Sequence, residues 1–394
     1  MKVAIVHDYL FQYGGAEKCL DQWLNIYPGA DIYTAFGFKE NFQDSPNITK
    51  SFDSNKVYSS FAQQIFKIPF LKKYQKHLYW LYPFAMSFFK LKDYDFVIIS
   101  ASFCGKNIRL DNCKKIVFYC YTPTRFLYNL VSNQDQKTIP GFLKILMKIF
   151  NYPLKIADQK AVKYLKSKQV EFISISKFIQ NRVKEYYHTE TKVIYPPVEL
   201  KQFNEILPKQ NLDNPYYIYF GRISFHKRLD LVIQACLNLN KKLIIVGSSA
   251  LKTDMDHLKK IVTDFEAKNP TKKGLVDFVG RVSNEDRNAF ISKARAMIFP
   301  AREDFGIAPV EALAAGLPVI AYEAGGALEY IQHKVNGYFF EKQTTESLQK
   351  AILEFEVLKF DSNIIKQTAI QFSEESFRAE FNFDNILNQL PKNL

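Results

Sequence analysis

Cysteine is scarce in this 394-residue chain: Cys19, Cys104, Cys113, Cys120 and Cys236 make an odd set of five with no CxxC pair. That pattern argues against a disulfide framework and fits a reducing cytoplasm. The six histidines show no metal-ligand spacing, and no Ser-His-Asp or Cys-His arrangement suggests nucleophilic catalysis. Long apolar runs are also missing. None approaches the roughly 20 residues of a spanning helix, and the opening MKVAIVHDYL enters a strand pattern without the layout of a secretory signal. The expectation is a cytoplasmic protein that neither spans a membrane nor leaves by that route. No repeat of fixed period and no low-complexity tract is present.

Acidic residues are absent from Ser54 to Lys92, a gap that belongs to a wider asymmetry. Residues 1–200 carry 28 Lys and Arg against 16 Asp and Glu, whereas residues 201–394 carry 25 against 24. Within the acid-free stretch, Lys56, Lys67, Lys72, Lys73, Lys76, Lys90 and Lys92 alternate with aromatics such as Phe61, Phe70, Tyr74, Trp80, Phe84 and Phe88. Residues 141–168 repeat the recipe. Lysines draw anionic headgroups while aromatic rings settle at the interface, so an anionic membrane surface is one expected partner. A basic solvated face over an aromatic core fits the same residues. Nucleic acid is a weaker reading, because residues 1–200 hold only three arginines, Arg109, Arg125 and Arg182, and no recognised nucleic-acid module.

Length suits two domains of roughly 150 to 200 residues each, and 47% hydrophobic with 24% charged residues is ordinary for a globular chain. VAIVH, DIYTAF, DFVIISAS, KIVFYCY, EFISIS and KVIYPP read as strands alternating with helical stretches, as in a doubly wound parallel sheet. YYIYFG, KLIIVG, VDFVG, AMIFP and PVIAY form a second such series. The expected fold class is α/β, with Rossmann-like domains at 1–200 and 216–370 facing a central cleft. A linker is expected at 201–215 and a helical tail at 371–394, crossing back to the first domain. Ligands in such sheets bind beyond the carboxyl ends of the strands.

The loops after the strands carry the chemistry. FPAREDFGIAPVEALAAGLPVIAYEAGGALE, residues 299–329, reads as strand end, loop, helix and strand, with Glu303 and Glu311 flanking the helix start. Pro309 suits a first helical turn and Gly316 a left-handed stop. A helix N-terminus offers amides to an anion, and carboxylates beside it can accept hydrogen bonds from hydroxyls. Amides for phosphate and carboxylates for sugar hydroxyls together describe a nucleotide-sugar site, although exposed acids on an ordinary helix share that spacing. Arg222 and Lys227 follow YYIYFG and can clamp a diphosphate, or are plain loop cations. Gly247 and the Arg281-Val282 pair lie at strand exits that can line a nucleotide. Gly14 and Gly15, after VAIVH, allow close backbone approach to a phosphate or make a simple turn, with Glu17 just beyond.

In order, HDYL..YGGAEK, YCYTPTRFLY, VIYPPVE, YFGRISFHKR, DFVGRVS and the 299–329 segment resemble the retaining GT-B glycosyltransferases of family 4, and more narrowly the bacterial O-antigen mannosyltransferase-like group. The resemblance implies a metal-independent hexosyl transfer from a nucleoside-diphosphate sugar, GDP-mannose ahead of UDP-sugars, to a lipid-linked oligosaccharide at the inner face of the cytoplasmic membrane. It implies that Arg222 and Lys227 hold the donor diphosphate, that Glu303 meets the sugar, and that the backbone from Asp304 through Phe305 and Gly306 to Ile307 meets sugar and phosphate. Glu311 then binds ribose, Arg281 and Val282 the base, and Gly15 a phosphate. Glu17, Tyr121 and Arg125 fall on the acceptor side. Tyr121 stands where many relatives have histidine, and tyrosine is a poor base near neutral pH. Epimerase or phosphorylase chemistry and a non-catalytic membrane scaffold are the competing readings.

Overall fold

The computed structural model describes residues 1–382 except 44, 73–74, 76–77, 129, 131–140, 204, 207–214 and 250, with backbone alone for 69, 72 and 141–150. Lys73, Tyr74 and Lys76 of the basic stretch therefore lie outside the described residues. So do most of the expected linker and the end of the tail. The chain divides into two compact units, Met1–Pro197 with Glu375–Leu394, and Val198–Glu374.

The first unit holds β1 (Val3–His7), β2 (Asp31–Thr34), β3 (Val57–Ser59), β4 (Lys90–Lys92), β5 (Phe96–Ala101), β6 (Arg109–Asp111), β7 (Lys115–Cys120), β8 (Glu171–Ser174) and β9 (Lys192–Val193). Seven of them make one parallel sheet in the order β3-β2-β1-β5-β7-β8-β9, while β4 and β6 pair separately. β1, β5 and β7 are buried along their whole length, as continuous apolar runs covered on both faces should be. Chain order reverses between β1 and β5, the position where open sheets of this kind leave a crevice at their carboxyl ends. The helix Gly15–Ile26 buries Cys19, Leu20, Trp23 and Leu24, one face at helical spacing. Trp23 meets Tyr119 edge-on at 5.3 Å and packs on Phe377 at 5.6 Å and Phe381 at 5.2 Å, so the tail contributes its rings to this core.

Asp8 fastens the crevice. One carboxylate oxygen accepts from the amides of Ser102 (2.7 Å) and Phe103 (2.9 Å), and the other from Gly105 (2.7 Å), which ties the loop after β1 to the turn after β5.

The second unit contains β10 (Tyr216–Phe220), β11 (Leu243–Val246), β12 (Val276–Gly280), β13 (Ala294–Phe299), β14 (Val319–Tyr322) and β15 (Gly337–Phe340), all parallel in the order β12-β11-β10-β13-β14-β15. Its reversal lies between β10 and β13. The helix Leu229–Asn238 is buried on most of its surface, through Leu229, Val232, Ile233, Cys236 and Leu237. The expected linker is corrected at its start: Lys201–Phe203 is a short turn whose Phe203 is fully buried, and the Gln202 carbonyl accepts from Asn288 at 3.1 Å. Phe203 and Ile206 bury enough apolar surface to hold that segment against the second unit, which starts at Val198. Among the described residues no helix is long and apolar enough to cross a membrane.

Because Asp8 is 7% exposed and answers three backbone donors, Asp8→Ala should destabilise the protein by about 3 kcal/mol. Urea unfolding should show this as a lower midpoint at unchanged slope.

Candidate active site

At the carboxyl edge of the second sheet, β13 ends at Phe299 and the chain loops through Glu303 to Gly306 before the helix Ile307–Ala314. Gly306 has φ +97°, and a Cβ there would stand 2.8 Å from the Tyr330 hydroxyl, which donates to the Phe305 carbonyl at 3.0 Å. The Gly326 amide donates to the Glu303 carbonyl at 2.7 Å, and a Cβ on Gly326 would meet the Phe305 carbonyl oxygen at 2.1 Å. Two backbone segments thus lie against each other and fix the course of Glu303–Phe305. The Phe305 ring packs on Tyr330 and Phe372, each at 5.6 Å, so only its backbone faces outward chemistry. Asp304 is buried and Ile307 half-buried beside it.

β10 exits through Gly221 into Arg222 and the turn Phe225–Lys227. The Ile223 amide donates to the Ser248 carbonyl at 2.9 Å and the Gly247 amide to Gly280 at 2.7 Å, which brings the ends of β10, β11 and β12 into step. Lys227 forms an ion pair with Glu303, and its ammonium lies 6.0 Å from the Phe299 ring centre. Arg222 is exposed at the exit of β10 and Arg281 at the exit of β12, with Val282 half-buried. Glu311, in the helix, is 5% exposed and faces Arg287 at 3.8 Å. Each of the two glutamates meets its own cation. Arg287 had no signal in sequence, since it sits in the helix Asn284–Ser292 without motif or distinctive spacing.

In the first unit, Gly14 is extended at the mouth of the helix Gly15–Ile26, and neither Gly14 nor Gly15 adopts a left-handed conformation. A Cβ on Gly14 would meet Glu17 Oε2 at 3.2 Å, so glycine there makes room for that carboxylate. Glu17 Oε1 contacts His7 Nε2 at 3.4 Å, His7 Nδ1 pairs with Ser100 Oγ at 2.9 Å, and Ser100 Oγ pairs with the Tyr121 hydroxyl at 2.9 Å. Tyr121 donates onward to the Ala16 carbonyl at 3.0 Å. Burial pushes its phenol well above the usual range, with Cys19 and Tyr119 adding to the shift. Tyr121 thus links β7 to the start of that helix and is no base at neutral pH. The sequence reading missed His7. Arg125 is exposed in a loop braced from below: Lys106 pairs with Asp158 at 2.7 Å and donates to Thr124 at 3.0 Å, all within the interior. Among the described residues no three His, Cys, Asp or Glu side chains gather into a metal-binding group.

Residues 202–371 match the glycosyl transferases group 1 family. This match covers nearly all of the second unit. Across a longer stretch, the chain is 25% identical over 295 residues to alpha-1,3/1,6-mannosyltransferase ALG2 of Candida albicans, covering 61% of this chain and 62% of that protein. It is 28% identical over 193 residues to an uncharacterized glycosyltransferase of Methanocaldococcus jannaschii, covering 49% and 51%. The chain thus spans less than two thirds of these curated relatives. Among solved structures, Anabaena HepE in complex with UDP aligns with TM-score 0.65 at 17% identity, covering 99% of this chain and 100% of that one. The lipopolysaccharide outer core galactosyltransferase WaaB gives TM-score 0.65 at 16% identity with the same coverage. That likeness shows the fold: α/β, of the GT-B class with two Rossmann-like domains.

Gly326→Ala should force the Glu303–Phe305 backbone aside and cost about 2 kcal/mol of stability, which thermal unfolding can measure. An unchanged melting temperature would contradict the packing described for this loop.

Proposed function

We propose that the protein is a retaining glycosyltransferase that moves a hexosyl residue from a nucleoside-diphosphate sugar to a hydroxyl of a lipid-linked oligosaccharide in surface-polysaccharide assembly. The observation that carries this reading is the Lys227–Glu303 ion pair at the edge of the second sheet, beside the helix that begins at Ile307. Lys227 exchanges Glu303 for the donor's distal phosphate, joined by Arg222 and the amides near Gly306, and Glu303 turns to the sugar hydroxyls. Glu311 takes the ribose, and the strand exits at Gly247, Arg281 and Val282 take the base side.

As the bond from the anomeric carbon to the phosphate oxygen breaks, negative charge builds on the leaving diphosphate. Fixed cations and helix amides stabilise that state more than the ground state. The acceptor oxygen bonds to the anomeric carbon from the same face, and its proton passes to the departing phosphate. Glu17, His7 and Arg125 form the acceptor-side polar group. GDP-mannose is the favoured donor, supported by the resemblance to mannosyltransferases; UDP-sugars are the alternative, supported by a fold neighbour solved with UDP. The exposed rings of Phe61, Phe84 and Phe88, within 6 Å of one another at their centres, join the exposed Lys67 and Lys90 as a face for an anionic bilayer.

Thermal-shift screening against GDP-mannose, UDP-glucose, UDP-galactose, UDP-N-acetylhexosamines and UDP-hexuronic acids should raise the melting temperature for one donor class, and Lys227→Ala should abolish that rise. Stabilisation by none of them would overturn the reading. Flotation with anionic vesicles should carry the protein upward, less so at high salt, and Phe84→Ser with Phe88→Ser should weaken it several-fold. Equal flotation with neutral vesicles would contradict the charge argument.

A further inference from the structure

Arg287 lies outside every motif of the chain, yet its surroundings are more specific than an ordinary helix position needs. Its guanidinium stands 5.4 Å from the ring centre of Phe203 and 5.9 Å from that of Phe220, and one amino group donates to the Gln202 side chain at 3.0 Å. Phe203 and Phe220 are themselves buried, so the cation sits on a rigid aromatic support. The Nε atom is buried without a hydrogen-bond partner among the described residues. The other amino group points to Glu311, 3.8 Å from its Oε2. Burying a carboxylate is costly unless a cation or donors face it, and removing the partner of such a pair costs more than the pair contributes. At 3.8 Å the contact is an electrostatic one rather than a direct hydrogen bond.

We propose that Arg287 is a positioning residue for Glu311: clamped by Phe203, Phe220 and Gln202, it holds the carboxylate aimed as acceptor for the ribose hydroxyls of a nucleoside diphosphate. The proposal rests on the donor-site reading above and extends it to a residue and a segment that reading does not use. Residues 202 and 203, at the start of the second unit, become part of the nucleotide site. Arg287 touches Glu311 and not the nucleotide, so its loss is felt as lost discrimination at the ribose.

The test is calorimetric titration of the full chain with GDP and UDP and with their 2′,3′-dideoxy counterparts. Wild type should prefer the ribose form of whichever nucleotide it binds. Arg287→Met keeps the stem packed on the rings and removes the charge; it should cut that preference about tenfold, as should Glu311→Gln, while affinity for the dideoxy form stays near wild type. Arg287→Lys should restore part of the preference. Weaker binding of both forms with the preference intact would mean a merely structural role and overturn the proposal, as would an unchanged Arg287→Met. Should wild type bind neither nucleotide, the donor-site reading itself falls and this proposal with it. A wild type that binds both forms equally keeps the donor site but removes the ribose role from Glu311 and Arg287 together.

Discussion

The backbone of Glu303–Phe305 runs so close to Gly326 that no side chain fits between them, and the geometry of the candidate donor site depends on that contact. The Gly326 amide is bound to the Glu303 carbonyl, the Tyr330 hydroxyl to the Phe305 carbonyl, and Gly306 turns the chain into its helix with φ +97°. With three restraints on three residues, the Glu303 side chain has a fixed origin, and Lys227 meets it from the neighbouring strand exit. Preorganisation of this kind is what electrostatic stabilisation of a leaving group requires, because the groups need not rearrange as charge develops.

Both sheets place their polar clusters at the carboxyl ends of strands flanking the reversal of chain order. In the second unit these ends are those of β10 and β13, carrying Lys227 and Glu303. In the first they are those of β1 and β5, carrying His7 and Ser100, with Asp8 stitching the two loops together. The hydrogen-bonded run from Glu17 through His7 and Ser100 to Tyr121 and the Ala16 carbonyl gives Tyr121 a definite task. Its phenol ties β7 to the start of the helix Gly15–Ile26. The ionisable imidazole of this cluster is His7, two strands away in the sheet.

Much of this architecture was legible in the amino-acid sequence, for reasons that also explain the gaps. Strands buried over all or nearly all of their length, such as β1, β5, β7, β13 and β14, are dense apolar runs, and the α/β class follows from their alternation with helices. Gly306 and Gly316 advertised the helix Ile307–Ala314 because their positive φ angles demand glycine. β3 and β15 escaped notice: VYS is three residues long inside an aromatic stretch, and GYFF does not alternate. Arg287 and His7 escaped because pairing across elements leaves no trace in spacing. The partners lie 24 and 10 positions away, on different elements. The 201–215 stretch reads as a linker because its polar composition hides Phe203 and Ile206, both buried in the second unit.

The exchange of partners at Lys227 is the step on which the functional account turns, and a crystal structure of the complex with GDP or UDP examines it directly. The account predicts the distal phosphate within hydrogen-bond reach of Lys227 Nζ, the Lys227–Glu303 contact opened, and the ribose hydroxyls on Glu311. A nucleotide bound elsewhere, or bound with the Lys227–Glu303 pair still closed, would contradict it.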